Sequence, residues 1–447
     1  MPFMISLLIL SVTFLWACCR RAKARLALIE AGIFRPEDYG AKGNGVADDT
    51  AAFIAACTAM AAFGSGATLL GRPHAVYLLY PNTWQTRTGP ASLGPLGSFS
   101  GLANLTFEFS RSTLRVPRTV AYQEWWGMFR FSECRWIRCA ANFVGHNHSG
   151  NQNVAAGAVP FAFNGACRHV EVTGHYEGCF TPALFAAGAY TLPESETRGT
   201  DNDALRTIGV RLDLTVKNSG YGANFIFSGD FAQVRLITEG VYRSYFPYGV
   251  KQHDVQVVSR GALGADCLLK AAEGYGLEDI RLRYSNTDTH TGGNGGGACV
   301  EIDWGDDDPA AFRKLWIDVD VRYHPGSDFG PALRVVRHGT AAGQKRHALL
   351  GLRFGGIVRA EGRRQVPIDF NFAGDTHLET WSAVVLEDLR LIALPATVLD
   401  VRGVVDQVTT RRVVSEADLS FTLPTSLATP PPLLVREATV VAGVRVV

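Results

Sequence analysis

From about residue 66 onward, apolar and polar positions alternate over short runs, and each run is broken by Gly, Asn or Asp. ATLLGRPHAVYLL, NLTFEFSRSTLRV and MFRFSECRWIRC are of this kind. A period of two predicts strands with one face turned inward. A short strand headed by an aliphatic residue then recurs, at Val170, Val210, Val234, Val255, Ile280, Leu315, Leu352 and Leu389, with spacings of 40, 24, 21, 25, 35, 37 and 37 residues. The shortest spacing suffices for one turn of a three-stranded coil, and the longer ones leave room for projecting loops. Such recurrence predicts an all-β fold, a solenoid of stacked β-rungs.

Ahead of the strands lies DYGAKGNGVADDT, residues 38–50, followed at once by a helical pattern. Gly40, Gly43 and Gly45 suit tight turns, and Asp48 and Asp49 are helix N-cap candidates. Phe53, Ile54, Cys57, Met60 and Ala61 fall on one face of the predicted helix, over about 48–63. An open first rung exposes apolar area and unpaired strand edges, so this helix is expected to cap the coil. The expected layout is an N-terminal segment (1–33), the coil (34–425) and a tail (426–447) that starts with Pro430 to Pro432 and ends in an apolar strand pair.

The N-terminal segment carries an apolar run over residues 3–19, followed by Arg20, Arg21, Lys23 and Arg25. Three readings stay open: a signal or anchor with membrane association through residues 3–19, or a helix bound by a partner. The charge balance, 43 Lys and Arg against 42 Asp and Glu, provides no general field for nucleic acid. Nine scattered cysteines without a CxxC pair read mostly as small core residues, with Cys134 to Cys139 or Cys167 to Cys179 as the disulfide alternatives.

DYGAKGNGVADDTAAF, with GATLLGRPHAVYLL after it, resembles the opening of the pectate-lyase-like superfamily of right-handed parallel β-helices. That superfamily includes polysaccharide-degrading enzymes and phage tailspike-like proteins. The resemblance implies a right-handed parallel β-helix with an N-terminal capping helix, a polysaccharide as partner, and an extracellular, virion or membrane-anchored location. From the tailspike-like members comes the expectation of a homotrimer. In the family this opening is scaffold and not active site, so function is left open. Two classes stand: a glycoside hydrolase or polysaccharide lyase, and a non-enzymatic viral or cell-surface spike or adhesion protein.

Alignment of the rungs by their leading aliphatic residue reads out the outward positions. The densest chemistry falls where Arg281 and Arg283 meet Trp316, Asp318 and Asp320. Asp318 and Asp320 point the same way, about 6.5 to 7 Å apart, near the lower limit for an inverting glycosidase pair. Glu301 and Asp303 add carboxylates on the preceding strand. Asp306, Asp307 and Asp308 offer oxygen ligands for Ca²⁺ if the protein is a lyase, with Arg281 or Arg283 as base or uronate clamp; otherwise no cofactor is expected. The plain alternative is a solvent-facing ladder of ion pairs. NTD at Asn286 to Asp288 with DDD at Asp306 to Asp308 resembles two polygalacturonase motifs, which would make Asp288, Asp307 and Asp308 the acids; the GHG and RIK strings of that family do not occur. Trp316, Trp304, Tyr242, Tyr245 and Trp126 are the candidate sugar-stacking residues. His146 and His148 lack a third metal ligand at a recognisable spacing.

Overall fold

A computed structural model of the protein describes residues 2–80, 96–117, 127–146, 158–186, 205–271, 275–288, 297–304, 310–323, 330–337, 348–360, 368–371, 380–392, 399–402, 407–415, 421–422, 433–437, 439–441 and 444–446. The chain is a right-handed parallel β-helix. Its strands form two long sheets, of 19 and 12 strands among the described residues, and nearly every pairing is parallel. Through the middle of the molecule each coil contributes two strands to these sheets. One is long, such as Arg168–Glu177 or Ala311–Tyr323, and the other short, such as Val159–Asn164 or Val300–Trp304.

The interior is a set of columns, one residue per coil. In the short sheet Phe131, Phe163, Phe185 and Phe225 stack at centroid spacings of 5.1, 4.9 and 4.9 Å with planes within 14°. That spacing is the inter-strand distance itself, so like side chains in register stack without adjustment. In the long sheet Ile137, Val170, Val210, Ala232, His253, Ile280, Leu315 and Leu352 form one inward column. Here the structure corrects the sequence alignment. Val234 pairs with Leu212 and Val255 with Leu282, a slip of two residues, because Ala232 and His253 fill the leading positions. A slip of two leaves inside and outside unchanged. Leu389 instead pairs with Gly356, past an irregularity in the register.

The helix Thr50–Phe63 (α2) closes the first coils, burying Phe53, Ala56, Cys57 and Met60. Phe53 meets Tyr77 edge-on at 5.0 Å and stacks on Phe109 at 5.7 Å. The two aspartates of the opening motif divide the work. Asp49 occupies the N-cap position but makes no capping bond from its side chain. Its buried carboxylate accepts the amides of Lys42 at 2.6 Å and Gly43 at 3.1 Å, pinning the preceding turn, while Asp48 accepts the Thr50 amide at 2.9 Å. Gly43 is required there: φ is +58°, and a Cβ would stand 2.9 Å from that of Ala75.

Pro2–Glu30 is a single α-helix (α1). No described helix is long and apolar enough to cross a membrane. At the other end the ladder continues beyond residue 425, since Leu433–Glu437 pairs in parallel with Gln407–Arg411, and Thr439–Val441 closes in an antiparallel pair with Val444–Val446. Pro430 to Pro432 lie outside the described residues. All nine cysteines are free, and the seven in the coil are buried. Burial pushes the Cys167 and Cys179 thiols up to about 12, as expected of inert core residues.

Candidate functional site

Register brings the predicted cluster together on the outer face of the long sheet. Arg281 lies opposite Trp316, Arg283 opposite Asp318 and Ser285 opposite Asp320. On the next coil Arg353 lies beside Trp316 and Gly355 beside Asp318. Trp316 is 45% exposed. The guanidinium carbon of Arg281 stands 4.7 Å from its ring and that of Arg353 5.9 Å, so the indole is set between two cations.

The charges around it pair mostly between neighbouring coils. Arg283 contacts Asp254 at 3.8 Å, Arg281 contacts Asp279 at 3.9 Å, and Asp320 is held by Arg359 at 2.5 Å. Arg353 bonds Glu387 at 2.9 Å and Asp388 at 3.3 Å, and Arg412 takes both of those acids at 2.5 Å. The Arg412 guanidinium holds the Asp388 carboxyl below the ordinary carboxylate range. Asp318 is the exception. Among the described residues its carboxylate forms no hydrogen bond or ion pair, and beside it Gly355 packs so tightly on the Glu387 backbone carbonyl that a Cβ there would collide with it, while standing 3.3 Å from Asp318 Oδ1.

Other predicted residues lie elsewhere. Glu301 and Asp303 belong to the short sheet, where both are buried. Arg334 lies 3.6 Å from Glu301 and 3.3 Å from Asp369. These two carboxylates therefore do not share a face with Asp318 and Asp320. Trp304 and Tyr245 are core residues with no exposed surface. The Trp304 indole donates to the Ala310 carbonyl at 3.2 Å and packs edge-on against Phe312. Tyr245 points inward, its hydroxyl 2.7 Å from His253 Nδ1. Their strands are buried on both faces, so alternation gave no signal that these aromatics turn in. Tyr242 is outward and almost buried, in a cluster with Tyr221 and Phe246 and with the Arg243 guanidinium 4.9 Å above its ring. Trp126, His148, Asp306, Asp307 and Asp308, and the side chain of Asp288, lie outside the described residues. Among the described residues no group of three or more His, Cys, Asp or Glu is placed to hold a metal ion.

Sequence reasoning missed Asp254 and Arg359, the partners of Arg283 and Asp320, because the two-residue slip and the 39-residue separation of Asp320 from Arg359 hide which outward residues are adjacent. Both belong to the same alternation and become visible once the register is known.

The architecture, a right-handed parallel β-helix, recurs among solved structures. A hyperthermoactive exopolygalacturonase from Thermotoga maritima superposes over 93% of this chain and 92% of its own, with 12% identity and a TM-score of 0.51. The mannuronan C-5 epimerase AlgE6 A-module from Azotobacter vinelandii covers 92% of this chain and 99% of its own at 11% identity and a TM-score of 0.45. PfbA, a surface adhesin of Streptococcus pneumoniae, covers 92% of both chains at 11% identity and a TM-score of 0.39. At 12% identity the likeness to the exopolygalacturonase establishes the fold alone. No protein-family model and no curated protein sequence matches the chain.

Proposed function

We propose that the protein is a carbohydrate-binding β-helix that lays an extended, carboxylate-bearing polysaccharide along the outer face of its long sheet. The observation that supports this is Trp316, an exposed indole set between two guanidinium groups. The exposed edge of the ring offers an apolar contact for a pyranose between the two cations, and Arg281, with only a 3.9 Å contact to Asp279, offers donors for a sugar carboxylate. Rungs repeating about every 4.8 Å give a polymer a regular floor on which to lie.

Cleavage is the second reading, and one observation favours it. Asp318 has no partner among the described residues and is exposed on the same face as Trp316, as a carboxylate that must reach a glycosidic oxygen would be. Asp320, the other member of the pair, is engaged by Arg359, so acid–base hydrolysis requires that ion pair to open.

Affinity electrophoresis against polygalacturonate and a neutral glucan tests the binding reading. Trp316→Ala is expected to weaken retention by polygalacturonate about tenfold at unchanged Tm; undiminished retention removes the reading. For cleavage, Asp318→Asn and Asp320→Asn should each end the release of reducing ends, and an ultraviolet-absorbing unsaturated product would select elimination over hydrolysis. If the unmodified protein cuts no glycan in a broad panel, binding alone stands.

A further inference from the structure

Seven successive long-sheet strands, from Ala103–Arg115 to Glu278–Asp288, each open with one residue in the left-handed region, just before the leading inward residue. The φ values are 57° at Asn104, 56° at Trp136, 55° at His169, 76° at Gly209, 56° at Phe231, 56° at Gln252 and 55° at Asp279. Strand register puts these residues in a single column along one corner of the coil. Asn, Asp and Gly tolerate this backbone best, so Asn104, Gly209 and Asp279 follow the chemistry of the turn. Trp136 and Phe231 do not. Both adopt a conformation unfavourable to aromatic residues and remain 58% and 55% exposed.

The rings in this column lie in layers. Trp136 and His169 stack with centroids 3.9 Å apart and planes 11° apart. At Gly209 the next layer has no side chain, and a Cβ there would come within 3.3 Å of His169 Nδ1. Phe231 follows one coil later. His169 and Phe231 therefore stand two rungs, about 9.6 Å, apart across an empty layer. A flat ring touching both walls needs only about 7 Å. A puckered pyranose with hydrogens on both faces, lying one rung from each wall, stands about 4.8 Å from both, within the range of ring contact. Beside the stack opens a depression of about 490 Å³ lined by Glu133, Arg135, Trp136, Ala166, Arg168 and His169. It presents donors and one carboxylate to the hydroxyls of a second sugar unit.

We propose that this corner is a glycan-binding site in which one pyranose ring enters the Gly209 layer between His169 and Phe231 and its neighbour lies over the depression at Trp136. It is separate from the Trp316 face and stands whether or not that face binds a polymer.

The test uses the full chain, with hexagalacturonate, a glucan hexasaccharide and AMP as probes, followed by saturation-transfer NMR and titration. Phe231→Asn suits the left-handed backbone, so Tm should hold or rise while affinity for at least one oligosaccharide falls tenfold or more. Gly209→Asn fills the layer and should give the same loss; Trp316→Ala should leave the short oligosaccharides bound. Three outcomes overturn the proposal: no saturable oligosaccharide binding at millimolar concentration, binding indifferent to both Phe231→Asn and Gly209→Asn, or AMP bound as tightly as the sugars at the same site. Loss in Trp316→Ala alone would support the sheet-face reading and remove the corner; loss in the corner variants alone is the expected result and leaves the sheet face to its own polygalacturonate test.

Discussion

The outer faces of the two sheets share a backbone geometry and differ in almost everything else. On the long sheet the outward positions of Ala311–Tyr323 read Trp316, Asp318, Asp320 and Arg322, all exposed, against Leu315, Ile317, Val319 and Val321 inside. On the short sheet the outward column Ala162, Leu184, Asn224, Phe246 and Leu268 is buried, as the inward phenylalanines are. A charge on the first face keeps its water; on the second it must find a partner or be costly. The same Arg–Asp chemistry is therefore weak on one side of the coil and structural wherever the chain is closed over.

That difference is broken most directly by comparing ion pairs. Arg206 and Asp230 are both buried, with two guanidinium bonds of 2.6 and 2.5 Å to the carboxylate and a third to the Gly249 carbonyl at 2.7 Å. Arg206→Ala strands a buried carboxylate and should destabilise the fold by about 3–5 kcal/mol in urea unfolding. An effect below about 1 kcal/mol would mean that water reaches Asp230 and the buried and exposed pairs are equivalent.

A second test is pH. Burial lowers the pKa of His253 from 6.5 to about 4. Its stabilising contribution is complete above pH 6.5, where the ring is neutral in both states. It is lost as pH falls from 6.5 to 4, because the unfolded chain takes up a proton that the folded chain refuses. The shift corresponds to about 3 kcal/mol, and His253→Gln should flatten that part of the stability–pH curve. An unchanged slope in the variant would assign the acid sensitivity to other groups.

The third test concerns Asn224, which has neither amide atom hydrogen bonded among the described residues and sits between Leu184 and Phe246 on the buried outer face. If that face is a second core, Asn224→Leu should raise stability by about 1–3 kcal/mol; a loss would point to a polar role for the amide. Last and smallest, Lys217→Ala opens the exposed pair with Glu239, 2.8 Å apart and half in water. It should cost less than about 1 kcal/mol and less still at high salt.

The same contrast explains what could be read in advance. Where one face meets water, alternation marks every residue, and the Arg281, Arg283, Trp316, Asp318 and Asp320 neighbourhood was legible from spacing alone. Where both faces are buried, Trp304 and Tyr245 look no different from exposed sugar platforms, although both fill the core. Glu301 and Asp303, close to Asp318 in sequence, belong to the other sheet, a placement that depends on where each coil turns. The capping helix was also readable, yet Asp49 and Asp48 have distinct tasks that only their hydrogen bonds reveal.

By itself the sequence determined the repeat, the inward column and the capping helix, since each follows from local chemistry: period-two patterning, left-handed glycines and one apolar helix face. Only the tertiary structure decided register and adjacency. Ala232 and His253 displace the pattern by two residues, Arg359 reaches Asp320 from 39 positions away, and Gly209 becomes a gap between His169 and Phe231. Contacts of that kind arise from which coil stacks on which, and no window of sequence shorter than a full turn contains them.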